Sequence, residues 1–236
     1  MMRHWKRWLI GTGVAVVVLV VGGPLFYIHV IEGKAPAPLT LGTAIGTSTT
    51  IATGATGAST TPVAINGTWK VSSGSVVGYR IKEVLLGQDN TAVGRTNSVT
   101  GSLTLSGSQV ATASFTADLT TVTSDRSQRD HQFQGRIMDT SSFPTATFTL
   151  TKPVTLTGDP ASGRTFSAQA TGTLAMHGTT KSVTFTVTGK VTGATAQVNG
   201  SIPIVFTDWN IPNPSFGPVS TDDHGTLEFL LNLTKS

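Results

Sequence analysis

The sequence predicts an all-β domain carried behind an N-terminal membrane span. Two observations point to the β-domain. Apolar and polar residues alternate with period two in one segment after another of the C-terminal part, the pattern of half-buried strands. Threonine is the most frequent residue, and its β-branched side chain suits a pleated surface. A third observation sets the span apart: residues 9–31 contain no Asp, Glu, Lys or Arg.

The elements follow in chain order. Residues 1–8 form a basic tip with Arg3, Lys6 and Arg7. As a helix, residues 9–31 would extend roughly 34 Å, enough to cross a hydrocarbon core. Basic residues before this run and Glu32 after it predict a cytoplasmic N-terminus. The chain is therefore expected to be a single-pass plasma-membrane protein with its C-terminal domain outside the cytoplasm. A secretory signal peptide is the competing reading, with Ala35-Pro36-Ala37 at signal-peptidase spacing. Pro38 after that cut favours an uncleaved anchor. Residues 32–65 are rich in Thr, Ala, Gly, Ser and Pro and read as a flexible linker spanning roughly 30–35 Å.

Residues 66–236 carry the strands. Phe115, Ala117 and Leu119 alternate with polar neighbours, as do Ala146, Phe148 and Leu150. Val183, Phe185 and Val187 do the same, then Ile202, Ile204 and Phe206, and finally Leu227, Phe229, Leu231 and Leu233. Breaks at Ser106-Gly107, Thr188-Gly189 and Thr192-Gly193 suit hairpins. His177 falls at a hairpin tip in Met176-His177-Gly178-Thr179. One-faced alternation fits either a two-sheet sandwich or a closed barrel. One helix is expected, from Ser124 to about Gly135, with Ser124 or Asp125 as its N-cap.

Charge and motifs exclude several functions. The formal net charge is +4. Four of the 16 Lys and Arg residues precede Asn66, as does one of the 12 acidic residues. The exported part is nearly neutral and offers no nucleic-acid surface. The absence of cysteine removes thiolate metal sites, disulfides, thiol catalysis and anchoring through a lipidated cysteine. No G-x-S-x-G, Walker or H-E-x-x-H motif is present. Asp222, Asp223 and His224 read as a polar turn, since neighbours in a strand point alternately and no second ligand cluster accompanies them. No metal, cofactor or catalytic residue is expected. Asp130 and His131 are adjacent on the expected helix, about 100° apart, and do not converge on one atom.

Short segments carry a family resemblance. Ser127-Gln128-Arg129-Asp130-His131-Gln132-Phe133 resembles an R-D-x-H-L-x-x-x-x-F helix segment. Phe143-Pro144-Thr145-Ala146-Thr147-Phe148 matches an aromatic-Pro-x-x-x-Phe stretch. Gly172-Thr173-Leu174 through Gly178-Thr179-Thr180-Lys181-Ser182-Val183 matches a G-x-L-x-x-x-G-x-T-K/R-x-V hairpin. With Trp69 on a first strand and Asp208-Trp209-Asn210-Ile211 near the end, the order resembles that of the YceI-like family of exported lipocalin-like proteins. Two local departures are Phe133 to Asp139 and Asn210, where the family often has Gly.

The resemblance implies an antiparallel lipocalin-like barrel of about eight strands with one short capping helix. It also implies an apolar tunnel for an isoprenoid, a quinone or another amphiphilic lipid, held without catalysis. On that reading the tunnel is lined by Trp69, Tyr79, Phe115, Leu119, Phe133, Met138, Phe143, Phe148, Phe185, Phe206, Trp209 and Phe229. Arg126, Arg129, Asp130, His131 and Asp208 would form a polar mouth. The expected partners are the lipid and, through residues 9–31, the membrane. The alternatives are a structural or interaction module of the cell envelope, or an enzyme using His131 or Asp130.

Overall fold

The computed structural model describes residues 35–42, 65–157 and 160–236. The expected span at residues 9–31 and most of the linker lie outside the described residues. Among the described residues, no helix is long and apolar enough to cross a membrane.

The strands close into a barrel, which decides between the two architectures left open by periodicity. Strand β1 (Gly67–Val71) pairs on one side with β4 (Val99–Ser106) and on the other with β13 (His224–Lys235). Beyond a break at residues 72–75, β2 (Val76–Leu85) continues along the same edge of β13 and pairs with β3 (Gln88–Thr96). The β1–β2 and β3–β4 runs thus form two long, broken staves. The ring continues through β5 (Gln109–Asp118), β7 (Thr145–Leu150), β9 (Phe166–Met176), β10 (Thr179–Thr192) and β11 (Thr195–Val205) back to β13. This makes eight antiparallel staves. Short strands β6 (Thr123–Ser124), β8 (Val154–Thr155) and β12 (Val219–Thr221) pair with β3, β5 and β2.

The break at residues 72–75 is held by polar bonds. Ser75 is almost fully buried. Its hydroxyl lies within bonding distance of Ser72 O and Asn232 O, and accepts from the Asn232 amide at 2.9 Å. This satisfies backbone groups where the ladder is interrupted.

Two ends result. Turns at 106–109 and 192–195 mark one end, with Trp69 nearby at 1% exposure and its indole N–H on Ile65 O at 2.9 Å. The other end carries hairpin 85–88, hairpin 176–179 and the long excursion between β5 and β7. That excursion holds the helix α1 (Ser127–Gln132), continued by a wider turn over Phe133–Ile137. The helix is shorter than expected and is not capped by Ser124 or Asp125; its N-cap is Arg126, with no capping side chain. The cause is a bond in the reverse direction: the Ser124 amide and hydroxyl both donate to Asp130 Oδ1, at 2.8 and 2.6 Å. Thr188-Gly189 is likewise not a hairpin but lies inside β10.

Gly189 has a packing role instead. Gly94 faces Tyr79, Gly101 faces Phe115, Gly189 faces Phe166 and Gly200 faces Phe229 across neighbouring strands. A Cβ at Gly94 would lie 2.4 Å from the Tyr79 ring. The rings lean over these bare positions and lie along the wall rather than across the lumen. Gly101 is the most constrained, with φ +137° and a virtual Cβ 2.2 Å from Ser114 O. We expect Gly101→Ala to cost about 2–3 kcal/mol, from backbone strain plus the clash. Thermal denaturation would show it, and an unchanged Tm would disprove the argument.

Candidate functional site

Alternation aims one face of each stave inward, interrupted in β5 between Val110 and Ala113, where the register with β4 shifts. On β2 the inward residues are Val77, Tyr79, Ile81, Glu83 and Leu85, all of which face interior space. That space consists of two adjoining cavities. The upper, of about 580 Å³, lies beneath α1 and is walled by Tyr79, Leu119, Phe133, Met138, Phe206, Ile204 and Ile211 among others. The lower, of about 140 Å³, lies deeper in the barrel and is lined only by apolar residues, including Trp69, Phe115, Phe148, Phe185 and Phe229. Val77, Ala146 and Leu227 belong to both walls, so the cavities meet there. The Phe148 and Phe185 rings meet edge-on at 5.2 Å, as do Phe185 and Phe229 at 5.9 Å. These three rings, in edge-on contact, form part of the wall of the lower cavity.

The expected lining residues are thus brought together, with two exceptions. Phe143 and Trp209 do not line either cavity. Phe143 packs edge-on against His177 at 5.0 Å, and His177 Nδ1 lies 3.0 Å from Trp209 O. Phe143 and the buried Trp209 thus pack beside the 176–179 hairpin at the mouth rather than on the cavity walls. Side-chain direction at a turn cannot be read from alternation. Asn210 adopts φ +55° there and donates to Thr179 Oγ1 at 3.1 Å. Asparagine tolerates this left-handed conformation better than most residues, so it can stand where the family often has Gly.

The polar mouth is also rearranged. Arg126 and Arg129 line the upper cavity. Asp130, His131 and Asp208 do not: Asp130 holds Ser124, His131 points to solvent, and Asp208 pairs with Lys181 at 2.8 Å on the surface. Asp130 and His131 therefore share no reaction centre. The acid that faces the cavity is Glu83, nearly buried on the inward side of β2. It accepts from Arg129 Nη2 at 3.2 Å and from Asn90 Nδ2 at 2.8 Å. Arg129 also pairs with Asp125 one helical turn back. Burial disfavours the Arg129 charge, but the Glu83 and Asp125 carboxylates outweigh it and hold its pKa above the ordinary value. Glu83 was legible in principle, since it continues the apolar run Val77, Tyr79, Ile81 at period two.

Tyr79 stacks on Phe133, centroids 5.1 Å apart. Burial pushes its phenol far above the ordinary range, only partly opposed by Arg129. Tyr79 is a neutral hydroxyl on an apolar wall. The rim opposite α1 is the loop 213–218. Arg136 reaches it from the wide turn, donating to Asn213 O at 3.3 Å and Pro214 O at 2.9 Å, with its guanidinium 5.8 Å from the Phe216 ring centre. Among the described residues no cluster of His, Asp or Glu could hold a metal ion.

A closed antiparallel barrel with a ligand-sized apolar interior and an ion-paired rim defines a class of small binding barrels. The chain belongs to the YceI-like domain family, whose model matches residues 69–233. No curated protein sequence matches it. Solved structures share the fold. BcnA from Burkholderia cenocepacia aligns at TM-score 0.51 and 21% identity, over 65% of this chain and 95% of that one. A polyisoprenoid-binding domain from Saccharophagus degradans, implicated in plant cell wall breakdown, aligns at TM-score 0.55 and 15% identity, over 71% and 98%. The Campylobacter jejuni YceI protein aligns at 0.50 and 14%, over 61% and 84%.

Proposed function

We propose that this protein is a membrane-anchored, extracytoplasmic barrel that binds a polyisoprenoid or a similar amphiphilic lipid and acts as a carrier or store without catalysis. The observation that carries this reading is the apolar upper cavity, of about 580 Å³ and continuous in its walls with the lower one. The polyisoprenoid-binding domain of the same fold supports the ligand class. Burial of several hundred Å² of prenyl chain, at about 25 cal/mol per Å², supplies on the order of 10 kcal/mol before association and ordering costs. Arg126, Arg129 and the Tyr79 hydroxyl would meet the polar head, and Glu83 keeps Arg129 aimed at the rim. The basic tip and apolar run at residues 1–31 support the anchor, which would hold the barrel beside the ligand's source.

The test is mass spectrometry of organic extracts from full-length protein purified from its own host. A stoichiometric isoprenoid lipid is expected; an empty interior that also fails to take up polyprenol in titration would refute the reading. A second prediction concerns the rim. Arg136→Ala removes the clasp between the wide turn and loop 213–218, so exchange of a fluorescent prenyl ligand should accelerate severalfold in stopped flow. Stability should fall by less than about 1 kcal/mol, because the side chain is exposed.

A further inference from the structure

Residues 35–42 lie against the outer wall of the barrel. Arg80 Nη2 donates to Pro36 O at 2.7 Å and Arg95 Nη2 to Ala37 O at 2.5 Å. Asn199 Nδ2 donates to Leu39 O at 3.1 Å, and the Gly42 amide donates to Gln197 Oε1 at 3.0 Å. Leu39 is 6% exposed and packs on Val76 and Leu230, two outward-facing residues that it covers. Glu228, buried between Arg80 and Arg95, holds both guanidiniums in place. This strap has a direction. Arg80 lies level with Thr226 and Pro203, whereas Gln197 lies level with Asn232, nearer the turns that shut the far end. The N-terminal end of the strap is therefore its mouth-ward end.

Reach sets the consequence. Residues 32–36 can span at most about 17 Å. The rise along β2 from Arg80 to Leu85 is also about 17 Å, while the path down the stave from Arg80 to Gly67 is about 40 Å. A bilayer entered at residue 31 can touch the mouth and cannot touch the closed end.

The mouth is built for that contact. The exposed large apolar residues among those described are Val84, Leu86, Val205 and Phe216, and all lie at this end. Leu86 is the most telling. It is 47% exposed at the tip of hairpin 85–88 with φ +52°. A turn position of this kind favours Asn, Asp or Gly, and leucine there adds strain as well as exposed apolar area. Phe216, 56% exposed, lies on loop 213–218, whose Pro218 O accepts from the Leu86 amide. Together they form an apolar prow on the rim of the upper cavity.

We infer that the mouth of the barrel, through Leu86, Val84 and Phe216, docks on the surface of the membrane that anchors the chain, with residues 35–42 as the strap that fixes this orientation. The cavity then opens at the lipid surface, and a lipid can pass between bilayer and barrel without crossing water. The inference rests on the anchor and lipid-binding reading above.

The absence of cysteine makes the test direct. Single cysteines carrying an environment-sensitive NBD label are placed at Leu86→Cys (prow), Ser201→Cys (wall beside the strap) and Ser106→Cys (closed end). Full-length protein is reconstituted in phosphatidylcholine and phosphatidylglycerol vesicles with acyl-chain-brominated lipid as quencher. Quenching should be strong at the prow, weak at the wall and absent at the closed end. Leu86→Asn, with the label at Phe216→Cys, should reduce quenching by half or more without lowering Tm. Leu39→Asp should abolish the difference between the two ends. Equal quenching at both ends, stronger quenching at the wall, prow shifts that follow protein density and not brominated lipid, or failure to float with vesicles would each overturn the inference. Extraction of lipid from the same samples keeps the two readings apart: a filled cavity without prow quenching refutes the docking alone.

Discussion

Ala146→Trp should weaken binding of long prenyl chains about 100-fold while leaving short ones bound. Ala146 is buried on β7, faces Ala117 across the β5–β7 ladder, and belongs to the walls of both cavities. Two small side chains stand where the walls of the two chambers adjoin, leaving room there for a passage between them. An indole there would occupy the passage. A five-carbon prenyl unit kept out of the lower chamber forgoes about 4 kcal/mol of transfer energy at about 0.8 kcal/mol per carbon. Part of that is offset by the ordering the chain no longer suffers. The Kd for a long polyprenol should therefore rise about 100-fold, while that of a short prenol that fits the upper chamber stays unchanged. Because the new ring enters open space, the stability cost should fall below the roughly 1–3 kcal/mol of ordinary overpacking. Titration with prenols of graded length, beside a melting curve, checks both statements. An undiminished affinity for the long chain would show that the lower chamber takes no part.

Arg129→Leu should produce the largest stability loss of any rim substitution. It leaves Glu83, only 8% exposed, facing the apolar cavity without its 3.2 Å partner. Breaking a buried pair from one side typically costs about 3–5 kcal/mol. Arg129 retains 17% side-chain exposure and has a second partner in Asp125, so the lower end applies. At about 2–4 °C per kcal/mol for a domain of this size, Tm should fall by roughly 6–12 °C. The double variant Glu83→Met/Arg129→Met removes both charges and should recover most of that loss. It should still bind lipid more weakly if the arginine meets the polar head. Full recovery of stability and binding together would mean that the pair serves packing alone. No recovery of stability would contradict the electrostatic account.

Much of the barrel was legible before any coordinates. Period-two alternation placed Phe115, Phe148, Phe185 and Phe229 on inward faces, because a strand turns every second side chain to the same side. The errors came where that rule lapses. Phe143 and Trp209 sit at turns, where the direction of a side chain depends on local dihedral angles rather than on period. Asp130 and His131 are neighbours in sequence and Asp208 lies in a separate segment expected near the mouth, yet their surroundings, Ser124, solvent and Lys181, are set by tertiary placement. The Ser124 cap failed for the same reason, since Asp130 folds back to claim it. Glu83 and Leu230 are the opposite case. Each broke the expected polarity of its face, a buried acid inside and a buried leucine outside, and each marks a contact with a distant segment: Arg129 for one, Leu39 for the other.

The sequence by itself determined the all-β class, the inward apolar face of several strands and the family, because these depend on local periodicity and short motifs. It also separated a basic, apolar N-terminal stretch from a nearly neutral β-domain. Only the tertiary structure decided closure into a barrel, since a sandwich has the same alternation and differs only in whether β1 returns to β13. It alone showed a two-chambered lumen, because free volume is what remains after Gly94, Gly101, Gly189 and Gly200 let the rings lie along the wall. It alone showed that residues 35–42 grip the barrel, because four hydrogen bonds and one buried leucine from segments far apart leave no periodic trace in the chain.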